Sequence, residues 1–478
     1  MFNVIAPRGA IIVFLCTQNH HTMQEKNSYD RWFRLAMGKF YKGRVRMAVL
    51  QAFPFWIASL ITGLVAIVYA RLFAMSEKLS LTIIHEHSWF LFIVTPVCFV
   101  AAWWLVKRYE PKAAGSGIPQ VMAAIELANP RYNQLVEKFL SIKVIVVKIL
   151  SSMLMVIGGG AVGREGPTVQ IAGSIFRKVN QLLPDSWPKV SKRNMIITGA
   201  AAGLAAAFNT PLGGVVFAVE ELAKTHISFF KTAIFTSVII AGLTAQAIIG
   251  PYLYLGYPVV NGPSAFVFVY VILVALVCGA GGSYMSKVIV QVMKWKRTFK
   301  SRKYELLYVI GCALVFAAIA YFVSHAILAS GKEEMTRLLF EKDKSEGWVT
   351  PILRMIGPVL SFTTGGAGGV FAPALTAGAT IGGLVAQLAS LTGVDTNILV
   401  LSGMVAFLTG VTRSPFTSAI LVLEMTDRHN VIFHLMLAGL VSSAIAVLID
   451  KHSFYEQLKH LYLADVYKEE NAKAAKTD

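Results

Sequence analysis

The chain is 478 residues long, 55% hydrophobic and only 15% charged, with a net charge of +18 and a mean hydropathy of +0.61. This composition excludes an ordinary soluble protein and describes a polytopic membrane protein, because a helix needs about 20 consecutive apolar residues to cross a bilayer. The basic residues gather in short loops and tails, as the positive-inside rule expects of cytoplasmic segments, so the charge points to a lipid bilayer and not to nucleic acid.

Ten to twelve apolar stretches are candidate spans, starting near Met47, Ser88, Val144, Met195, Phe229, Ala265, Leu306, Ile352, Ala374, Ile398, Phe416 and Val431. Several are short or broken by Gly and Pro, which is tolerated where backbone lines a cavity or is buried in protein. Residues 1–22 hold a single arginine and an apolar run too short to span; they read as disordered, or as lying upstream of a start at Met23. The basic segment Lys26 to Arg46 precedes the first long run and puts the N-terminus in the cytoplasm. Met47 to Met75 and Trp89 to Val106 read as two spans joined by an outer loop carrying Glu77 and Glu86.

Next comes Ala114-Gly115-Ser116-Gly117-Ile118-Pro119, a glycine-rich turn whose proline suits a helix start. The Ser116 hydroxyl there either donates to an anion beside free N–H groups or serves as an ordinary N-cap. Lys143 and Lys148 follow in an apolar segment; each reads as a snorkelling or structurally paired lysine, with Lys148 deep enough to lend positive potential to an anion path.

Gly163-Arg164-Glu165-Gly166-Pro167 is set between nearly uncharged runs, which puts Arg164 and Glu165 at membrane depth, where ionisable groups are costly and usually functional. Gly163 and Gly166 permit sharp turns, and Pro167 marks a helix start near it. The positive end of that helix attracts an anion, and the Glu165 carboxylate is the nearest one. Glu165 is therefore a candidate gate that fills an anion site when ionised and leaves when protonated; the alternative is a plain capping carboxylate.

Gly199 to Leu222 begins with a dense run of Gly and Ala that reads as a helix-packing face, passes through Asn209-Thr210-Pro211 and ends at Glu220-Glu221. Two carboxylates there oppose the helix dipole unless one pairs or handles protons; otherwise they are a solvated helix end. The four cysteines, Cys16, Cys98, Cys278 and Cys312, stand singly in apolar runs, and the ten histidines show no ligand spacing. Neither a disulfide framework nor a metal or cofactor site is signalled.

The second half repeats the first. Gly199, Pro211 and Glu220 recur as Gly403, Pro415 and Glu424, each offset by 204 residues, and Gly163-x-x-x-Pro167 recurs as Gly369-x-x-x-Pro373 at an offset of 206. Paired halves with a broken helix at the matching place bind substrate where those helices meet near the midplane. Gly368 to Pro373 is thus a second helix start, offering the N–H groups of Val370 and Phe371, or else a buried kink. The link Lys294 to Lys303 is basic and cytoplasmic by the same charge rule, whereas residues 331–347 are of mixed charge. Tyr455, just past the last span, has the position of an interfacial aromatic. The charged, alanine-rich tail from Glu469 reads as frayed helix or disorder.

Together these motifs resemble the CLC family of chloride channels and chloride/proton antiporters: Gly115-Ser116-Gly117-Ile118-Pro119, Gly163-Arg164-Glu165-Gly166-Pro167 and Gly369-Val370-Phe371-Ala372-Pro373 stand in order, and the likeness runs from about Met47 to Lys459. The resemblance implies an all-α fold of two inverted repeats, halves of roughly 88–253 and 305–449, inside a transport domain of 47–450 flanked by cytoplasmic segments 1–46 and 451–478. It implies a homodimer with one pore per subunit, in a multi-pass inner-membrane protein that is not an enzyme. The resemblance assigns anion binding to Ser116, Tyr455 and the N–H groups of Val370 and Phe371, external gating to Glu165 and internal proton transfer to Glu221, supported by Gly115, Gly117, Pro119, Lys148, Gly163, Arg164, Gly166 and Pro167. The dimer contacts it implies fall near Gly199 to Leu222 and Pro415 to Leu448. Serine at 116 and Pro167 favour chloride over nitrate or fluoride, and Glu221 favours a chloride/proton antiporter over a passive channel of the same fold. With 28 residues after Asp450, the regulatory nucleotide-binding domains of some members are expected to be missing. An intramembrane enzyme built on Glu220 and Glu221 lacks a nucleophile or a metal cluster, and a scaffolding protein would have no use for three anion-site motifs.

Overall fold

The computed structural model describes residues 44–223, 231–250, 253–264 and 266–477; most of the basic segment before Arg46, and Cys16 with it, lies outside them. The first half comprises α1 (Arg44–Glu86), α2 (Leu91–Tyr109), α3 (Ile118–Leu127), α4 (Ile142–Ile157), α5 (Glu165–Leu182), α6 (Lys192–Phe208), α7 (Pro211–Phe217) with a π-helical turn over Ala218–Ala223, and α8 (Lys231–Ile249). The second comprises α9 (Val267–Lys296), α10 (Arg302–Phe322), α11 (Lys332–Phe340), α12 (Val349–Thr363), α13 (Phe371–Leu388), α14 (Val394–Thr412), α15 (Pro415–Thr426), α16 (Ile432–Ile449) and α17 (Phe454–Thr477).

Among the described residues, nine helices are long and apolar enough to cross a membrane. The stretches expected near Met195, Ile352 and Phe416 form helices of only 17, 15 and 12 residues. Their apolar character reflects burial in protein more than contact with lipid. The stretch expected from Phe229 begins outside the described residues, and α8 starts at Lys231. The expected outer loop after Met75 is helix instead: α1 runs unbroken for 43 residues, so Glu77 sits on a helix. The tail beyond Glu469, expected to fray, continues α17 to Thr477, tied down where Lys138 Nζ meets Glu469 at 2.9 Å and Glu470 at 3.2 Å.

The repeat is visible in the helices themselves. Helices α5 and α13 are each 18 residues long. Helices α6 and α14 each end on a left-handed residue, Asn209 (φ 56) and Arg413 (φ 64), two positions before the proline that opens the next helix. Both pairs close through small residues: a Cβ on Gly203 would overlap Ala172, and one on Gly378 or Gly403 would enter the other's carbonyl. The Gly199–Gly203 face is therefore spent inside the subunit, against Phe176 and Ala172 of α5. It is not a free face for the dimer contact that the resemblance implied there.

The half-helices α7 and α15 exchange caps. Glu220 accepts from the backbone N–H of Phe416 (3.2 Å) and Thr417 (2.7 Å) at the start of α15. Its repeat mate Glu424 accepts from Leu212 (3.0 Å) and Gly213 (2.6 Å) at the start of α7. Each carboxylate thus leaves the negative end of its own helix and neutralises the positive end of the other. Glu220 is a paired group and not a solvated helix end.

Candidate functional site

The three glycine-rich loops meet at the centre of the molecule, sewn together by backbone. Gly163 and Gly369, equivalent positions in the two repeats, exchange N–H···O=C bonds of 2.8 and 2.7 Å in an antiparallel bridge. Gly115 donates to Gly366 O at 2.9 Å, and Gly368 donates to Gly115 O at 3.1 Å. Gly115 (φ 62) and Gly117 (φ 107) take backbone conformations that side-chain-bearing residues avoid. At Gly166 the constraint is space, since a Cβ would collide with Ser116 Oγ.

Ser116 is buried and does not cap a helix: α3 starts after Gly117, whose N–H is taken by Gln120 Oε1 at 3.1 Å. The Ser116 hydroxyl has no hydrogen-bond partner of good geometry, and neither has that of Tyr455, although the two lie within mutual range. Tyr455 is fully buried, which overturns the interfacial position, and its ring stacks on Phe371 with centroids 6.1 Å apart and planes 13° from parallel. Val370 and Phe371 open α13, so their N–H groups have no intrahelical acceptor. Two hydroxyls and a helix start thus converge on one buried place. A pair of orphaned hydroxyls beside a positive helix end is a donor set for an anion.

Glu165 is buried at the start of α5, two residues before the start expected near Pro167. Its carboxylate folds back over Gly163, beside the backbone N of Ala372 in α13, and its Oε2 is buried there without a hydrogen-bond partner of good geometry. It therefore straddles two helix starts, one from each repeat, and is more than a cap on its own helix. Arg164 reaches Ala207 O at 3.4 Å. Lys148 is fully buried and does not snorkel; its Nζ donates to Gly115 O at 2.8 Å and Ala114 O at 3.4 Å, pinning the loop that carries Ser116. Glu221, in the π-helical turn, is buried and accepts from Ser414 Oγ at 2.6 Å. Both Glu165 and Glu221 lie within electrostatic range of Tyr455.

Several further polar groups stand around this centre. Glu77 of α1 holds Ser330 through its N–H (3.1 Å) and Oγ (2.7 Å). Arg354 of α12 donates to Leu328 O at 2.9 Å; as a lone cation in an apolar stretch it carried a readable signal. Lys332 Nζ stands 4.5 Å from the centre of the Tyr254 ring. Burial, then Arg164, holds its ammonium below the ordinary lysine range against the pull of Glu77 and Glu165. These residues line or adjoin a cavity of 640 Å³ that also carries Glu346 and Thr350, at the first turn of α12. A smaller cavity of 210 Å³ lies at the other end of α12, lined by Gly115 and Phe362, roughly 20 Å away by helix rise. Among the described residues there is no cluster of metal-ligating side chains.

The profile of the family described as "Voltage gated chloride channel" matches residues 98–447. The chain is 27% identical over 448 residues to the H(+)/Cl(-) exchange transporter ClcA of Citrobacter koseri, covering 88% of this chain and 90% of that protein. ClcA of Salmonella arizonae is similar to the same degree, 27% over 448 residues, with the same coverage of both chains, 88% and 90%. Among solved structures, a slow cyanobacterial Cl-/H+ antiporter superposes with a TM-score of 0.74 at 21% identity, over 87% of this chain and 98% of that one. A CLC-type fluoride/proton antiporter gives 0.72 at 18% identity, over 87% and 99%. The fold described above superposes on that of the solved antiporters over most of its length, and with the family profile matched over residues 98–447 the chain belongs to the CLC family of voltage-gated chloride channels.

Proposed function

We propose that this protein is a membrane antiporter exchanging chloride, and similar monovalent anions, for protons. The observation that carries the reading is the Glu165 carboxylate lying across the N-terminal ends of α5 and α13, a place that a chloride ion would fill equally well. Ionised Glu165 competes with the anion there and, once protonated, gives the place up. The inner anion position takes the Ser116 and Tyr455 hydroxyls and the Val370 and Phe371 N–H groups. Neutral donors of this kind bind chloride favourably yet weakly enough to release it, which a full lysine or arginine charge would not. Glu221, held by Ser414, passes protons between the cytoplasm and Glu165. The naming of the curated relatives as exchange transporters supports coupled antiport over passive conduction, and no covalent step is required.

In the same reading residues 47–450 form the transport unit, its halves near 88–253 and 305–449, with 1–46 and 451–478 on the cytoplasmic side of the inner membrane. The exposed apolar side chains Leu212, Phe416, Phe433 and Leu440 on α7, α15 and α16 suit the interface of a homodimer.

The test is reconstitution in liposomes under a chloride gradient, with chloride flux and internal pH followed together. Uphill proton movement opposite to chloride is expected in the native protein. Glu221→Gln should abolish proton movement while chloride still flows, and Glu165→Gln should uncouple the two. Chloride flux with no proton movement in the native protein would make it a channel and overturn the proposal.

A further inference from the structure

The 210 Å³ cavity at the C-terminal end of α12 is lined by three cations, Lys107, Lys296 and Arg297, against one carboxylate, Glu305. The carboxylate is already matched, standing 2.9 Å from Lys107 Nζ. Arg297 pairs with Asp465 at 2.9 Å, and the Lys107 and Arg297 side chains remain 40% and 34% exposed at the rim. Lys296 forms the floor: its Nζ donates to Thr363 O at 2.8 Å and Thr364 O at 2.6 Å. An ammonium has three donors, so one is left, on a face that the Tyr308 ring, its centre 5.5 Å from Nζ, shares with a ligand. Gly365 (φ 93) passes beneath it, and a Cβ there would stand 3.2 Å from Lys296 Nζ and narrow the space.

The rest of the lining is apolar and aromatic, including Trp103, Met293, Phe362 and Tyr462. Room for about seven waters, at ~30 Å³ each, exceeds what a lone chloride needs. The helix ends around the rim also present exposed aromatic side chains: Trp104, Tyr109, Trp295 and Tyr304 are each more than half exposed. Such rings mark the headgroup level of a bilayer, and basic pockets between membrane helices at that level accept anionic headgroups.

We propose that this cavity is a binding site for a phosphate-bearing anion with an apolar portion, the phosphate held by Lys296 with Lys107 and Arg297 and the apolar portion laid against Trp103 and Phe362. Its position gives it a route to the centre of the molecule, because Phe362 packs directly over Gly115, one residue from Ser116. The site does not rest on the transport reading and stands or falls by binding alone.

Two sources share this chemistry, an anionic lipid and a soluble organic phosphate, and calorimetric titration of the full-length protein in detergent separates them. The ligands are dihexanoyl phosphatidic acid, dihexanoyl phosphatidylcholine, phenyl phosphate and inorganic phosphate. Saturable binding of the phosphatidic acid alone assigns the site to lipid; equal binding of phenyl phosphate assigns it to a soluble ester; equal binding of phosphatidylcholine or of inorganic phosphate overturns the proposal. In either case Lys107→Gln with Arg297→Gln should weaken binding at least tenfold. Lys296→Met should abolish it, and the rim pair keeps the test valid if loss of Lys296 frays α12. Lys178→Gln removes the same charge elsewhere and should leave binding unchanged. Saturable binding of none of the phosphates, binding untouched by the rim pair, or an equal loss in Lys178→Gln would each overturn the proposal.

Discussion

At the scale of single residues the site depends on groups placed to hydrogen-bond something that the chain does not itself supply. Tyr455→Phe keeps the stack on Phe371 and removes only a hydroxyl. A neutral hydrogen bond is worth about 1 kcal/mol net, so chloride affinity should fall about fivefold, by titration calorimetry, with stability unchanged. Gly166→Ala pushes a methyl group into Ser116 Oγ and should remove most anion flux from a protein that still purifies as folded. Ser414→Ala takes from Glu221 the donor at 2.6 Å; charge-assisted bonds are stronger than neutral ones, so proton flux in liposomes should fall more than chloride flux. The positions of Ser116 and Glu165 were legible because glycine, proline and a polar group in an apolar run have few joint explanations. Lys148 was ambiguous, since a snorkelling and a fully buried lysine look alike in sequence. Tyr455 looked interfacial because only the tertiary fold carries the start of α17 beneath Phe371, and Ser414 and Lys332 owe their importance to partners far away in the chain.

At the scale of elements the reciprocal caps are the feature that ties one repeat to the other. Replacing an N-cap carboxylate by alanine costs about 1 kcal/mol, so Glu220→Ala and Glu424→Ala should lower thermal stability in detergent by similar amounts, the two being equivalent under the repeat. A large effect from one and none from the other would mean that the two caps are not equivalent. The repeat was readable from the 204-residue offset of Gly, Pro and Glu. What the offset could not reveal is that each glutamate serves the other's helix, because periodicity records equivalence and not contact. Helix lengths failed for a related reason: hydropathy does not separate lipid from buried protein surface, so α6, α12 and α15 looked like spans. The continuation of α1 through Glu77 and Glu86 was hidden by charges that a loop and a helix end carry equally well.

For the molecule as a whole, the loop between α11 and α12 makes stability depend on pH. Glu346 shares Arg337 with Glu334, at 2.9 Å from its Nη2, and burial pushes its carboxyl up from an ordinary 4.5 to about 7. The folded protein then holds this proton at pH values where the unfolded chain has released it. Stability from this group is therefore full below about pH 4.5 and lost as pH rises toward 7. Melting temperature in detergent should fall over that window, and Glu346→Gln should flatten the fall. The antiparallel exchange between Gly163 and Gly369 has a consequence of another kind. One strand of that bridge is made some 200 residues after the other, and the proposed anion donors in α13 and α17 come later still. In the antiport reading proposed above, a nascent chain that has inserted its first half holds Glu165 but lacks the start of α13 that its carboxylate lies against. On that reading the pathway takes shape only when the second repeat joins the first through the Gly163–Gly369 exchange, late in synthesis.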